Sequence, residues 1–169
     1  MTAAELLAHA AINQGWYAQA SPSFGPERRG APVLAFNRLD KEPINVRSEV
    51  YEPDVVIVTD PGLLKMVNVL EGLKEGGAVI INTSKSLNDL RGELGVKCRL
   101  AVIDARKIAR ETLGVPIVNT TMLGAAVRVI GLVDLHFVLD AVRERFGGKA
   151  GEMNAKAVTR GFNEVVVSE

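Results

Sequence analysis

The sequence predicts an α/β fold in which an open, mostly parallel β-sheet lies between two layers of helices. Three short apolar runs carry this prediction: residues 54–58, 78–82 and 100–103. Continuous apolar runs are typical of strands that are covered on both faces. Helical sequence with a capping aspartate follows the first and third runs, and this alternation is the signature of βαβ units. We therefore expect a three-layer, Rossmann-like sheet within one domain of residues 1–169.

The composition is that of a soluble globular protein and argues against several classes of function. The chain has 169 residues, of which 47% are hydrophobic and 24% are charged. Lys plus Arg and Asp plus Glu both number 20, so the net charge of zero argues against a main role in gripping nucleic acid or an anionic membrane. No apolar run is long enough to span a bilayer and no signal peptide is evident, so a cytoplasmic protein is expected.

The single cysteine, Cys98, limits the redox chemistry of the chain. One thiol cannot build a disulfide framework, a structural zinc site or an iron–sulfur cluster. We interpret Cys98 as a buried or edge thiol in a reducing compartment. We therefore expect this chain by itself to bind no metal ion or cofactor.

The chain opens on a predicted helix, which is unusual because α/β folds usually begin with a strand. Thr2 and Glu5 have the spacing of a capping box, and apolar residues then recur at helical spacing as far as Gly15. Beyond this helix the pattern predicts three short strands: residues 16–20, 33–39 and 44–46.

Capping residues follow two of the three apolar runs. Asp60, which precedes a proline, predicts a helix that ends at Gly76. Asp104 predicts a second helix, which ends at Gly114. The segment 83–99 is polar and carries little pattern. Both acidic residues could instead bind a ribose hydroxyl, but capping is the simpler interpretation.

Helices dominate the C-terminal third of the predicted fold. Thr120 or Thr121 is expected to cap one helix, and Asp134 to begin another that ends at Gly147. Apolar residues at helical spacing also mark the last segment, 153–166. These helices form one layer on the sheet.

No catalytic or metal-binding motif is evident in the sequence. No G-x-G-x-x-G follows a strand, so no phosphate cradle for a dinucleotide is predicted. His9 and His136 both fall on predicted helices, and neither belongs to a known catalytic pattern. We therefore expect this chain to act by binding a ligand or a partner and not by catalysis of its own.

The segment from Pro22 to Pro32 is the most distinctive part of the chain. Its three prolines and two glycines exclude a helix interior or a central strand, so it must be a rigid loop. Arg28 and Arg29 suit phosphate or carboxylate recognition, because a guanidinium binds an oxyanion through two parallel hydrogen bonds. A partner interface or an internal ion pair with Glu27 is the alternative.

A second candidate for anion binding is the turn Asn119–Thr121, which precedes a predicted helix. Backbone N–H groups at a helix N-terminus bind anions. Simple capping of the helix is the competing interpretation.

Several motifs around this loop and beyond it resemble those of one protein family. In chain order they are QASPSFGPERRGAP at 19–32, AFNR at 35–38, YEPDVVIV at 51–58, INT at 81–83 and NTTMLGA at 119–125. The chain resembles the gamma subunit of pyruvate and related 2-oxoacid:ferredoxin oxidoreductases. The loop favours the pyruvate or branched 2-oxoacid type over the indolepyruvate type.

The resemblance implies a subunit of an enzyme that converts a 2-oxoacid and CoA to acyl-CoA and CO₂, with electrons passing to ferredoxin. It places thiamine diphosphate, Mg²⁺ and [4Fe–4S] clusters on partner alpha, beta and delta-type subunits. This placement agrees with the single cysteine and with the lack of a thiamine-type metal-diphosphate motif. The chain itself is expected to assist assembly and to contribute to the CoA side of the active site.

The resemblance also implies which residues contact CoA or a partner subunit, none of them catalytic. They are Ser23, Phe24, Gly25, Glu27, Arg28, Arg29, Gly30, Asn119, Thr120 and Thr121. Two other functions stay open. One is a stand-alone α/β module that binds a nucleotide or acyl-CoA, and the other is a purely structural assembly subunit.

The N-terminal sequence departs from the family's pattern. Family members usually begin with a strand and a Gly-rich turn directly before the helix that here starts at Thr2. If the protein lacks that strand, the sheet has lost an interior strand and exposes an edge that favours association.

Overall fold

A four-stranded sheet, a separate two-stranded hairpin and flanking helices make up the computed structural model, which describes residues 2–23 and 32–168. In chain order the elements are helix α1 (Thr2–Asn13), strands β1 (Tyr17–Pro22), β2 (Ala35–Asp40) and β3 (Val55–Val58), helix α2 (Leu63–Met66), strand β4 (Ala78–Asn82), helix α3 (Leu87–Leu94), strand β5 (Arg99–Ile103), helices α4 (Ala105–Leu113), α5 (Asn119–Ile130), α6 (Leu135–Phe146) and α7 (Gly148–Glu164), and strand β6 (Val166–Val167).

The main sheet has the strand order β3-β4-β5-β6. The first three strands are parallel, with Ile57 beside Ile80 and Ile80 beside Ala101, and β6 is antiparallel to β5. Every residue of β4 is buried. The predicted α/β fold with an open and mostly parallel sheet is therefore confirmed.

Side chains of β4 and β5 alternate between two apolar cores, because successive residues of a strand point to opposite faces. Ile80 and Ala101 belong to a core shared with α4 and α5. Val79 and Ile81 belong to a second core shared with Leu90 of α3. Helices thus cover both faces of the sheet and form the outer layers.

A third core lies outside the sheet, between α1, α5, α6 and α7. Leu6 and Leu7 of α1 pack there with Val127, Val138 and Val142, as their helical spacing predicts. Strands β1 and β2 form a separate antiparallel hairpin that packs on α1. The side chain of Asn37 ties the hairpin to this helix by donating to Ala4 O at 2.8 Å.

Two predicted elements in the N-terminal half were wrong. Residues 44–46 form no strand, and the stretch 44–50, which we name connector 44–50, instead lies against the hairpin through contacts from Arg38. The helix predicted from Asp60 to Gly76 is only the short α2. It ends because Val67 adopts an extended conformation and Asn68 Oδ1 accepts a hydrogen bond from Leu70 N, which stabilises a turn instead.

Helix α3 and strand β6 were not predicted. Ser86 begins α3 by accepting a hydrogen bond from Asp89 N at 3.2 Å, and Gly95 ends it with a φ of 61°. Leu87, Leu90 and Leu94 recur at helical spacing and pack on the second core, so the signal for this helix was present and was missed. Strand β6 has only two residues and pairs with β5, so its pattern is too short to predict.

Four expected capping and burial roles need correction. Asp104 caps α4 by accepting from Lys107 N at 3.1 Å, as predicted. Asp60 accepts from Gly62 N at 2.9 Å in a tight turn, but it is not the N-cap of α2. Neither Thr120 nor Thr121 caps α5, whose N-cap is Val118.

Asp134 and β3 account for the other two corrections. Asp134 is at the N-cap of α6, yet its side chain makes no capping bond. Strand β3 was expected to be covered on both faces. It lies instead at the edge of the described sheet, and Ile57 is 41% exposed.

Candidate functional site

The loop end of the β1–β2 hairpin, where Ser23 follows β1, holds the one predicted site residue of the candidate loop that lies in the described ranges. Ser23 extends the hairpin by one hydrogen bond, from its backbone N to Leu34 O at 3.1 Å. The other predicted loop residues fall outside the described residues: Phe24, Gly25, Glu27, Arg28, Arg29 and Gly30. Ser23 therefore fixes where the chain enters this segment.

Connector 44–50 forms hydrogen bonds to the loop end of the hairpin and to the side chain of Arg38. The Ser23 hydroxyl donates to Glu49 Oε1 at 2.9 Å. Arg38 of β2 donates from Nη1 to Ser48 O at 2.6 Å and from Nη2 to Glu49 O at 3.1 Å. Residues from three segments thus meet directly beside the candidate loop.

Arg38 and Glu49 were missed as parts of the site. Arg38 was noted only within a family motif, because a lone arginine on a strand gives no sign of what it contacts. Nothing in the sequence connects Glu49 with Ser23, since they are 26 residues apart. Only the fold brings the two together.

Large apolar side chains are exposed at the loop end of the hairpin, and also in and directly after connector 44–50. Val33 and Leu34 are 85% and 51% exposed, and Val46 and Tyr51 flank Glu49 with 53% and 70% exposure. Adjoining exposed apolar residues such as Val33 and Leu34 are typical of interaction surfaces. The loop end of the hairpin thus has the character of a contact region.

The start of α5 holds the second predicted site. Thr120 is buried, and its hydroxyl donates to Asn154 Oδ1 of α7 at 2.9 Å. Asn154 Nδ2 in turn donates to Ala150 O at 2.9 Å, which fixes the orientation of the amide. Thr121 is fully buried, and its hydroxyl has no hydrogen-bond partner in the part of the chain described. Only Asn119 of the predicted trio is exposed.

A groove of about 310 Å³ opens beside the start of α5. Its lining comprises Thr2, Leu113, Val115, Ile117, Asn119, Thr120, Phe146, Ala150, Met153 and Asn154. None of these residues is charged, whereas Ile117 and Phe146 are 57% and 37% exposed. The groove suits an apolar group with one or two polar contacts better than it suits a phosphate.

A larger crevice, of about 480 Å³, lies at the carboxyl ends of β4 and β5. In open α/β sheets this edge is the usual place for ligands. Here, however, its charged side chains already have partners elsewhere in the chain. Asp104 caps α4, and Lys85 pairs with Glu93, which lowers the pKa of that carboxyl below its ordinary value. The capping interpretation of Asp104 therefore accounts for its contacts.

Below this crevice, the buried side chain of Asn82 joins the ends of neighbouring strands. Its Nδ2 donates to Thr59 O, beyond β3, at 2.9 Å, and its Oδ1 accepts from Ala105 N, beyond β5, at 3.0 Å. This amide fixes the spacing between the loops that leave the sheet.

The two histidines make only peripheral contacts. His9 Nε2 lies 3.7 Å from Glu144 Oε2 on the surface, and the His136 ring packs on Phe137 with centroids 4.0 Å apart. Across residues 2–23 and 32–168, no group of three or more His, Cys, Asp or Glu side chains could hold a metal ion. No helix within those ranges is long and apolar enough to cross a membrane.

Comparison with known families and proteins gives consistent matches over nearly the whole chain. The family model for pyruvate ferredoxin/flavodoxin oxidoreductase matches residues 1–164. The pyruvate/ketoisovalerate oxidoreductases common subunit gamma of Thermococcus kodakarensis is 52% identical over 170 residues, covering 100% of this chain and 92% of that protein. The pyruvate synthase subunit PorC of Methanocaldococcus jannaschii is 52% identical over 166 residues, covering 98% and 90%.

A solved structure has the same architecture. The crystal structure of pyruvate oxidoreductase subunit PORC from Thermotoga maritima superposes with a TM-score of 0.85 at 38% identity, covering 99% of this chain and 90% of that one. The gamma subunit of a keto/oxoacid ferredoxin oxidoreductase from Geobacter sulfurreducens, at 23% identity and a TM-score of 0.70, shares the fold.

Proposed function

This chain belongs to the pyruvate ferredoxin/flavodoxin oxidoreductase family, and we propose that it is the gamma subunit that holds the CoA side of such an enzyme against its catalytic partners. The observation that carries this proposal is the 52% identity to a gamma subunit across the whole chain. The complex converts pyruvate or a related 2-oxoacid and CoA to acyl-CoA and CO₂, and passes electrons to ferredoxin. We place it in the cytoplasm.

The redox and decarboxylation chemistry belongs to partner chains in this proposal. The sequence has one cysteine, too few to ligate a [4Fe–4S] cluster. When bound on alpha, beta or delta-type partners, thiamine diphosphate with Mg²⁺ stabilises the carbanion, and the clusters carry the electrons. The work left for this chain is to bind CoA and to dock its partners.

The loop between β1 and β2, which includes Arg28 and Arg29, is the proposed CoA contact. Arg28 and Arg29 provide two guanidinium groups for the CoA phosphates, and Ser23 anchors the start of the loop. Phe24, Gly25, Glu27 and Gly30 complete the proposed contact segment.

The groove at the start of α5 is the proposed partner contact. Its lack of charged residues and its exposed Ile117 and Phe146 suit an apolar side chain from a neighbouring subunit. Asn119 and the Thr120–Asn154 pair supply polar groups at its rim. Thr121 lies inside the α5–α7 packing, so its role here is structural.

The test of the CoA contact uses the complex purified from cells that co-express all subunits. Arg28→Ala and Arg29→Ala should each raise the KM for CoA at least about tenfold, because a charge-assisted hydrogen bond contributes about 1.5–3 kcal/mol. The value of kcat and the subunit composition should stay unchanged. Arg47→Ala, an exposed arginine of connector 44–50, is the control. An unchanged KM for CoA in both variants would contradict the CoA contact.

The test of the groove is assembly. Ile117→Asp should weaken binding to the partner subunits and leave the fold of the isolated chain intact, since the side chain is already 57% exposed. Exposed Ile12 of α1, changed to Asp, is the matched control. Purification of the chain without thiamine- and cluster-containing partners would instead support a stand-alone binding module.

A further inference from the structure

We infer that the outer face of α4 is a docking surface for an acidic patch on one of the partner subunits. We name this surface the cationic face of α4, and it consists of Arg106, Lys107 and Arg110. The inference rests on the proposed function, in which this chain docks on its catalytic partners. It adds which face docks and which charge that face meets.

The three cations of this face project away from the core. The opposite side of α4 is buried and consists of Ala105, Ile108, Ala109 and Thr112. At about 100° per residue, the basic residues fall on the outer side, and all three are exposed. Arg106 and Arg110 lie one turn apart, so their positive charges repel each other.

Helix stability does not account for these residues. Arg106 and Lys107 lie in the first turn of α4, which contains no acidic residue. That turn is the positive end of the helix dipole, so cations there are unfavourable. Arg110, in the last turn, is the one member of the face that suits the dipole. Two of the three cations thus weaken the helix, which indicates a role outside it.

The chain itself offers these side chains no counter-charge. Within residues 2–23 and 32–168, none of the three forms an ion pair or a side-chain hydrogen bond. The one carboxylate of α4, Glu111, is bound by Arg160 of α7. Asp104, directly before the helix, accepts from the backbone N of Lys107. The neutralising charge therefore has to come from a partner.

A protein surface fits this face better than a small anion or a nucleic acid does. None of the three basic residues lines the groove at the start of α5 or the crevice at the sheet edge, so a small anion on them would stay in water. Exposed ion pairs of that kind contribute little. The chain also has no net charge, whereas a nucleic-acid binding domain is usually basic. An acidic protein patch covers several cations at once and partly removes them from water.

The cationic face also adjoins the groove proposed as a partner contact. Leu113, the last residue of α4, lines that groove, and residues 114–117 directly after it are all exposed. Val115 and Ile117 of this segment are 44% and 57% exposed and line the groove too. An apolar centre beside a polar rim is the usual anatomy of a protein interface. One partner surface can therefore cover both.

The experiment is a competition for the complex. Cells co-express the partner subunits with equal amounts of the wild-type chain and of a variant that combines Arg106→Gln, Lys107→Gln and Arg110→Gln. The complex is purified through a tag on a partner, and mass spectrometry measures both copies. The variant should be incorporated about tenfold less, because complementary charges accelerate association. Arg106→Lys with Arg110→Lys should compete like wild type, because this effect depends on the charge and not on the guanidinium.

The matched control removes three positive charges elsewhere. Arg47→Gln, Lys65→Gln and Lys97→Gln combined change three exposed residues and should be incorporated like wild type. Thermal unfolding of the chain tests for a structural role. Arg106→Gln with Lys107→Gln should raise the midpoint by about 1–3 °C, because it removes unfavourable charges from the first turn. A lowered midpoint would show that these residues stabilise the helix, and would overturn the inference.

Cross-linking of the purified complex tests the charge of the partner surface. A carbodiimide joins an amine directly to a carboxylate in contact with it, so Lys107 should become linked to an Asp or Glu of a partner subunit. Exposed Lys97 should form no such link. A complex in which Lys107 reacts only within its own chain would contradict an acidic partner.

The outcomes separate this inference from the function on which it rests. If Ile117→Asp weakens assembly and the triple Gln variant does not, the groove is a partner contact and the cationic face is not. If only the triple variant is excluded, the cationic face stands and the groove is wrong. If neither change weakens assembly, both are wrong. Equal exclusion of the matched control would assign the effect to net charge and overturn the inference.

Discussion

Gly124 of α5 and Gly161 of α7 let these two helices cross in direct backbone contact. A Cβ atom added at Gly124 would lie 2.0 Å from Val158 O, and one added at Gly161 would lie 2.1 Å from Thr121 O. Neither distance is compatible with a side chain, so glycine is required at both positions. Because α5 contributes to two of the three cores, this crossing fixes the helical layer on the sheet.

Replacement of either glycine should therefore be strongly destabilising. Gly161→Ala and Gly124→Ala are each expected to lower the free energy of unfolding by about 2–3 kcal/mol or more, because the clash is with backbone that can move only if the helices separate. Urea denaturation of the isolated chain measures this loss.

Gly92 is the matched control. It also lies in a helix, α3, but a Cβ atom there would meet nothing within 4 Å. Gly92→Ala should thus stabilise the chain by about 0.5–1 kcal/mol, the usual helix preference for alanine. If all three variants behaved alike, the close crossing of α5 and α7 would not be the cause.

The crossing shows which parts of the fold the sequence could predict. The strands β4 and β5 and the α1 helix were predicted because their apolar patterns are regular. The two glycines carried no such sign, since a glycine inside a helical pattern predicts weakness, not close packing. Their role depends on a helix 37 residues away along the chain, which only the fold brings near.

The candidate site shows the same limit. Its prolines and arginines could be recognised from the sequence, because proline restricts the backbone and arginine binds anions wherever they occur. The contact between Arg38 and Glu49 and the Thr120–Asn154 pair were not, because each joins two separate segments of the chain. Residue type indicates what a side chain can do, and tertiary structure decides what it contacts.

Asn82 should be essential for the order of the sheet's carboxyl edge. Asn82→Ala removes both hydrogen bonds of a side chain that is 3% exposed, and leaves the buried Ala105 N without its partner. A loss of about 2 kcal/mol or more in the free energy of unfolding is expected. Denaturant unfolding measures it, with exposed Asn88→Ala in α3 as the control. A loss below about 0.5 kcal/mol would show that water replaces the amide.

The ion pairs of Arg160 should make the stability of the fold decrease as the pH falls into the acidic range. It bonds Glu164 of its own helix and Glu111 of α4, both at 2.6 Å, and these bonds raise its pKa further above the ordinary value. In return, the hydrogen bond from Arg160 lowers the pKa of Glu111 below its ordinary value of 4.5. A carboxyl with a lowered pKa stabilises the fold above that ordinary value, and the contribution is lost as the pH falls through the pKa in the folded state.

Arg160→Met should therefore lower the thermal midpoint at pH 7 and have a smaller effect at pH 3. Thermal unfolding at both values measures the difference, with exposed Arg106→Met on α4 as the control. An equal loss at the two pH values would mean that Arg160 acts through the packing of its aliphatic part and not through the ion pairs.

The outer edge of β3 should be a site of self-association of the isolated chain. This strand has no neighbour on its outer side within residues 2–23 and 32–168, and Ile57 there is 41% exposed. Met66, the last residue of α2, and Val67 directly after it are 63% and 42% exposed. Unpaired strand edges with apolar side chains are templates for pairing between chains.

Ile57→Lys should lower the apparent mass in light scattering at high protein concentration, because a charge on an edge strand opposes pairing with another chain. The unfolding free energy should change by less than about 1 kcal/mol, as the side chain is partly in solvent. Ile12→Lys on α1, with 53% of that side chain exposed, tests whether any added charge has the same effect. If both variants reduce association equally, net charge is responsible and not the edge. If neither does, β3 is covered in solution.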